Sequence, residues 1–166
     1  MKNKIYKFDH NVDTDAIMPA RFLNNNNPTE YKMFCFADLS PTFAQQVCAG
    51  DVIVAGRHFG CGSSRESAPM ALKALGIKCV LAESYSRIFL RNSINIGLPA
   101  IQIESELYNR IKNHSEIKYD DQFTRFEIHV DDDVVEIAVQ FSSFIREIIN
   151  NGGLIEAYNN GCFHYV

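Results

Sequence analysis

Apolar and polar residues follow three rhythms along this chain, and each rhythm predicts a different kind of element. Short unbroken apolar runs, "DVIVA" (51–55), "KCVLA" (78–82) and "LPAIQI" (98–103), read as strands buried on both faces. Between them "RESAPMALKALG" carries Met70, Ala71, Ala74 and Leu75 at helical spacing and stops at Gly76. "SYSRIFLRNSINIG" reads as a second helix, ending at Gly97. Strand, helix, strand, helix, strand is the pattern of a parallel sheet with crossover helices. A period-two rhythm appears in "KIYKF" (Lys4–Phe8), and again in "FTRFEIHV" and "VVEIAVQF". With "DDD" (Asp131–Asp133) between them, the last two predict an antiparallel hairpin.

The remaining segments are read from their breakers. "SPTFAQQVCAG" predicts a helix with proline in its first turn, ending at Gly50, and "SFIREIINNGG" a terminal helix with a glycine cap. "DHNVDTDAIMP" reads as a polar loop with three aspartates, and "NNNNP" (Asn24–Pro28) as a turn-forming, mobile surface loop. Neither an internal repeat nor a linker divides the chain. Residues 1–166 are therefore expected to form one α/β domain mixing parallel and antiparallel strands.

Composition narrows the classes of function. Apolar residues make up 46% of the 166, enough for a core, and the net charge of −4 comes without a basic tail, which argues against nucleic acid as a partner. There is no apolar run of about 18 residues, so no membrane span is expected. The start, "MKNKIYKFDH", lacks the apolar region of a secretory signal, and a cytoplasmic protein is expected. The five cysteines are Cys35, Cys48, Cys61, Cys79 and Cys162. An odd count without CxxC spacing predicts reduced thiols, several of them buried, and neither a disulfide framework nor a zinc site.

Chemistry concentrates in "GRHFGCGSSRESAP" (Gly56–Pro69), at the joint between a predicted strand and a predicted helix. Glycines let a backbone approach a ligand closely, and a helix N-terminus offers unpaired N–H groups and partial positive charge. With the Arg65 fork beside it, the joint suits a carboxylate or phosphate. A plainer reading stands beside this one: Ser63-x-x-Glu66 is a capping box, in which Ser63 merely caps the helix. A third reading makes Cys61 a nucleophile with its pKa lowered by the helix end, and His58 as its base. P-loop, dinucleotide and nucleophile-elbow signatures all fail here. Cys61 stands where a P-loop needs glycine, Arg65 where a dinucleotide fingerprint needs one, and Gly62-Ser63-Ser64 breaks the G-x-S-x-G pattern.

"FGCGSSRE", with "NVDTDAI" upstream and "SYSRIFLRNSINIGLP" downstream, closely resembles the small subunit of 3-isopropylmalate dehydratase, which is similar to the swivelling C-terminal domain of aconitase. The resemblance runs from Lys4 to about Gly161, and implies a β/β/α three-layer fold. It implies that Ser63 is the catalytic base, that Ser64 and Arg65 hold a substrate carboxylate, and that Asp15 is an active-site aspartate on the facing loop. Aconitase places an arginine downstream of that aspartate; Arg21 is the nearest candidate here, at a shorter spacing. In relatives, residues just after an aromatic–leucine pair choose the substrate's tail. Here Phe22 and Leu23 are that pair, followed by Asn24 and Asn25, and an apolar isopropyl tail would pack on Phe22 and Leu23. Ser67 stands where many relatives have histidine.

The implied protein is catalytically incomplete. No cofactor is expected in this chain; a large subunit is expected to hold a [4Fe–4S] cluster, in a heterodimer or heterotetramer acting on a small di- or tricarboxylate. The expected reaction is isomerisation of 2- and 3-isopropylmalate by dehydration and rehydration in leucine synthesis. The alternatives are a related hydro-lyase for homoaconitate or 2,3-dimethylmalate, a non-catalytic anion-binding module, and a stand-alone cysteine enzyme.

Overall fold

The three unbroken apolar runs become the centre of a mixed sheet. The structure is a computed structural model that describes residues 3–23 and 27–163. Its first half contains β1 (Asn3–Phe8), α1 (Thr14–Ile17), a 3-10 turn (Ala20–Phe22), α2 (Pro28–Tyr31), a second 3-10 turn (Lys32–Phe34), α3 (Phe43–Gln46), β2 (Val52–Ala55) and α4 (Ser67–Leu75). There follow β3 (Cys79–Ala82), α5 (Arg87–Asn95), β4 (Ala100–Gln102), α6 (Ser105–Arg110), β5 (Glu116–Tyr119), β6 (Arg125–Val130), β7 (Asp133–Ala138), α7 (Ser143–Asn150) and α8 (Leu154–Asn159).

The seven strands form one sheet in the order β4-β3-β2-β1-β5-β6-β7. β1 to β4 run parallel, with Ile5 beside Val52 and Val52 beside Cys79, while β5, β6 and β7 pair antiparallel. Alternation along β2 sends successive side chains into two different cores. Ile53 and Ala55 pack with Ile17, Leu72 and Phe89 of α1, α4 and α5. Val52 and Val54 pack with Ile117, Phe126 and Ile128 of β5 and β6, and with Ile149 of α7. The antiparallel strands therefore curl back over the second face of the parallel ones. The layers are helix, parallel sheet and antiparallel sheet, which explains why β2 and β3 carry no polar residue.

Four boundaries differ from the sequence reading, each for a local reason. α4 begins at Ser67 rather than near Ser63; Glu66 occupies its cap position without a side-chain cap bond, so the Ser63–Glu66 capping box does not form. Gly62, at φ +87°, turns the chain before the helix can start. α3 is a single turn, because the buried Asp51 carboxylate takes the Cys48 N–H at 2.8 Å as well as the Lys4 N–H at 2.8 Å. The "DHNVDTDAIMP" loop contains α1, nucleated by Asp13 accepting from the Ala16 N–H at 2.6 Å. The glycines after α7 join it to α8 instead of ending the chain's helices. The sequence rhythm also passed over α6 and β5, which are short and largely polar. Asn24 and Asn25 lie outside the described residues.

Gly60 couples this framework to the loop above it. Its φ is +73°, and a side chain there would collide with the Phe89 ring. Its N–H reaches the Val12 carbonyl at 2.8 Å and its carbonyl accepts from the Ser86 hydroxyl at 2.5 Å. Gly60→Ala should therefore add a left-handed backbone cost of about 1 kcal/mol to an overpacking cost of about 1–3 kcal/mol. Urea denaturation should show a loss of roughly 2–4 kcal/mol; an unchanged midpoint would mean that the loop does not depend on this contact.

Candidate active site at the carboxyl ends of β1 and β2

In an open parallel sheet, ligands bind in the crevice beyond the carboxyl ends of the strands. Here the chain leaving β1 (9–13) and the chain leaving β2 (56–66) lie side by side there. Asp13 and Cys61 form a parallel bridge. The Thr14 N–H reaches the Cys61 carbonyl at 2.9 Å, and the Thr14 hydroxyl donates to the Ser63 carbonyl at 3.0 Å. Thr14 is 2% exposed, so this splice is shielded from water. Nothing in the sequence pattern of either loop marks Thr14 for this role.

The splice brings the two motifs into contact. Asp15 lies in the first turn of α1, and its carboxylate is paired with the Arg65 guanidinium. The Ala20 N–H donates to the same carboxylate oxygen at 3.2 Å. The hydrogen bond from Arg65 holds the Asp15 carboxyl below its ordinary range; burial opposes it, and the Ala20 hydrogen bond and the Arg65 charge add to it. Ser63 and Ser64 stand exposed in the β2 loop. The Ser63 carbonyl also accepts from the Arg65 N–H at 2.8 Å. Among the described residues, the N–H groups of Gly62, Ser63 and Ser64 find no partner, which leaves a row of donors beside a guanidinium.

Beneath the β2 loop lies a polar floor that the sequence reading missed. Gly56 has no room for a side chain because the His10 ring fills that space. His10 Nδ1 accepts from the Arg57 N–H at 2.8 Å and lies 3.2 Å from Oε2 of Glu83, a buried carboxylate whose other oxygen accepts from the Ser105 hydroxyl. The Ser84 hydroxyl and carbonyl take the N–H groups of His58 and Phe59, at 2.9 Å and 3.0 Å. These partners come from distant segments, and no local motif announces them.

The segment after Asp15 is joined to the same site through the Ala20 N–H. Arg21 does not point a free charge from it. Its guanidinium forks onto Asp38 at 2.9 Å and 2.5 Å, and lies over the Phe22 ring at 4.5 Å. Phe22 stacks on Phe34 with centroids 4.2 Å apart. Phe22 and Leu23 are half-buried against the helix-side core, so much of their apolar surface is already committed.

A family model for the aconitase C-terminal domain matches residues 36–106. A protein named 3-isopropylmalate dehydratase small subunit from Halothermothrix orenii is 45% identical over 165 residues, 99% of this chain and 98% of its own length. One of the same name from Ruminiclostridium cellulolyticum is 46% identical over 160 residues, 96% of each chain. The chain belongs to the 3-isopropylmalate dehydratase small-subunit family. A crystal structure of 3-isopropylmalate dehydratase from Methanocaldococcus jannaschii superposes with a TM-score of 0.84 at 38% identity, covering 97% of this chain and 94% of that one.

Membership of the 3-isopropylmalate dehydratase small-subunit family fits poorly with a cysteine nucleophile, and so does the geometry. Burial, and then the Asp13 charge, push the Cys61 thiol up rather than down. His58 Nδ1 is engaged with Asn11 at 3.1 Å. Cys35 is pushed up to about 12 by burial in one core, and Cys79 is raised by burial in the other. Among the described residues no three His, Cys, Asp or Glu side chains gather as a metal-binding group. The described cysteines do not fit an iron–sulfur cluster.

Replacing Arg65 with Gln should move the Asp15 carboxyl back up towards its ordinary value, measured by NMR titration. Because the folded-state pKa is depressed, the pair's contribution to stability is present above the ordinary aspartate value, near 4, and lost as pH falls through the depressed one. The wild type and Arg65→Gln should thus differ in the pH dependence of stability only in acid. An Asp15 titration indifferent to Arg65 would mean that the pair does not persist in solution.

Proposed function

We propose that this chain is the small subunit of a 3-isopropylmalate dehydratase, supplying the base and the carboxylate clamp of a hydro-lyase site completed by a large subunit. The observation that carries this reading is the openness of the Asp15–Arg65–Ser63 cluster. A serine hydroxyl is a poor base in water; it serves only where its alkoxide is stabilised and water is excluded. Ser63 has stabilising neighbours in Arg65 and the free loop N–H groups, but it has no cover. The fold supplies half a site, and a partner surface must close over it.

Within that closed site the roles follow from the donors present. Arg65 gives one arm of its fork to Asp15, which leaves further N–H groups of the same planar guanidinium for a substrate carboxylate. Asp15 orients the fork, and the Ser64 hydroxyl and the loop N–H groups offer further donors to the carboxylate. Ser63 takes the proton from the carbon next to that carboxylate and returns it in the rehydration half-reaction. The helix-end stabilisation expected for Ser63 is reassigned, since α4 begins only at Ser67. The neighbouring hydroxyl would leave towards the large subunit, whose [4Fe–4S] group would supply the Lewis acid that takes it. Since the described residues fit no cluster, the [4Fe–4S] group is assigned to the large subunit.

The tail preference follows from charge. A tricarboxylate tail would need a free cation near the site, and Arg21 is neutralised by Asp38. An alkyl tail meets no unpaired charge there, which supports isopropylmalate over homoaconitate.

In a complex reconstituted with the large subunit, Ser63→Ala should lower turnover of isopropylmalate on the order of 100-fold or more. Its folding stability should stay within about 0.5 kcal/mol of wild type, because Ser63 caps no helix. Near-normal turnover in that variant would overturn the assignment of the base. The purified chain alone should show no dehydratase activity, followed by absorbance of the unsaturated intermediate; turnover without a partner would contradict the half-site reading.

A further inference from the structure

Arg21 is the single cation of the 20–23 segment, and that segment is tied to the site. The Ala20 N–H and the Arg65 guanidinium donate to the same oxygen of Asp15, so Arg21 departs from backbone one residue away from the carboxylate clamp. Both of its terminal nitrogens are nevertheless engaged. Asp38 grips both terminal nitrogens in the planar two-point geometry that suits an arginine and a carboxylate. The guanidinium carbon lies 4.5 Å from the centroid of the Phe22 ring, and the Phe34 ring stacks on Phe22 at an interplanar angle of 7°.

A substrate held on the Arg65–Asp15 clamp would bring its variable group against this segment, where the Arg21 charge is already paired with Asp38. A carboxylate arriving there would find Arg21 already neutralised and would be repelled by Asp38. A branched alkyl group would lose nothing. On the hydro-lyase reading given above, we infer that Asp38 is a specificity residue: by holding Arg21 against Phe22 it selects an alkyl tail over a carboxylate tail. Discrimination of this kind acts through a charge kept out of reach, so removing the restraint should broaden the enzyme rather than disable it. Asp38 is exposed, touches none of Asp15, Ser63 or Arg65 by any ion pair or hydrogen bond, and belongs to neither core.

The test compares kcat/KM for 3-isopropylmalate with that for isocitrate, in which a carboxymethyl group replaces the isopropyl group, using the complex with the large subunit. Isocitrate is followed as substrate or as competitive inhibitor. Asp38→Ala should shift the ratio by about tenfold or more towards isocitrate, through KM or the inhibition constant. Adding Arg21→Ala to the same chain should cancel the shift, and Asp38→Glu should keep the wild-type ratio. A merely structural role would lower both activities together and would not be reversed by removing Arg21. An unchanged ratio, a parallel loss of both activities, or a shift that survives Arg21→Ala overturns the inference. A wild-type complex inert towards 3-isopropylmalate would instead sink the reading on which it rests, and this inference with it.

Discussion

The geometry of the site hangs on Thr14. Its N–H and hydroxyl take consecutive bites from the β2 loop, at Cys61 and Ser63, and its burial keeps water from competing. Two loops that leave neighbouring strands are thereby fixed in register, and every other feature follows from that register. Asp15, one residue along, is delivered to Arg65; the Ser63 carbonyl is turned inward, so its side chain is left outside. On the proposed reading, this exposed serine is the group that a partner surface closes over.

The parallel core was plain in the sequence because each strand is sealed on both faces and so tolerates no polar residue. The hairpin of β6 and β7 was plain for the opposite reason: one face is covered and one is wet, and the alternation records it. Where one side chain overrules the local pattern, reading by pattern loses its grip. Asp51 draws the Cys48 N–H away from helix geometry and cuts α3 to one turn. Asp13 does the reverse, starting a helix inside what reads as a loop.

The site divides in the same way. Ser63, Ser64, Arg65 and Asp15 sit in compact motifs, and the fold brings both motifs together. Thr14, His10, Glu83 and Asp38 were not legible, because each acts through a partner remote in sequence; Thr14 lies inside the "NVDTDAI" string, but nothing local shows that it ties down the second loop. Arg21 was visible as a charge, but its neutralisation by Asp38 was not. Whether Ser63 caps a helix turned on where α4 starts, a matter of two or three residues that composition does not resolve.

Gly56 and Gly60 are usually thought of as freedom for the backbone, yet in this chain each is also a mould. The ring of His10 lies where a side chain at 56 would be, and the ring of Phe89 where one at 60 would be. Each glycine and its ring therefore form a single unit of inheritance. A larger residue at 60 becomes tolerable only if position 89 shrinks, and a lost ring at 10 opens space that position 56 can drift into. Across descendants of this chain, the glycine loop and the first turns of α5 are bound to change together or not at all.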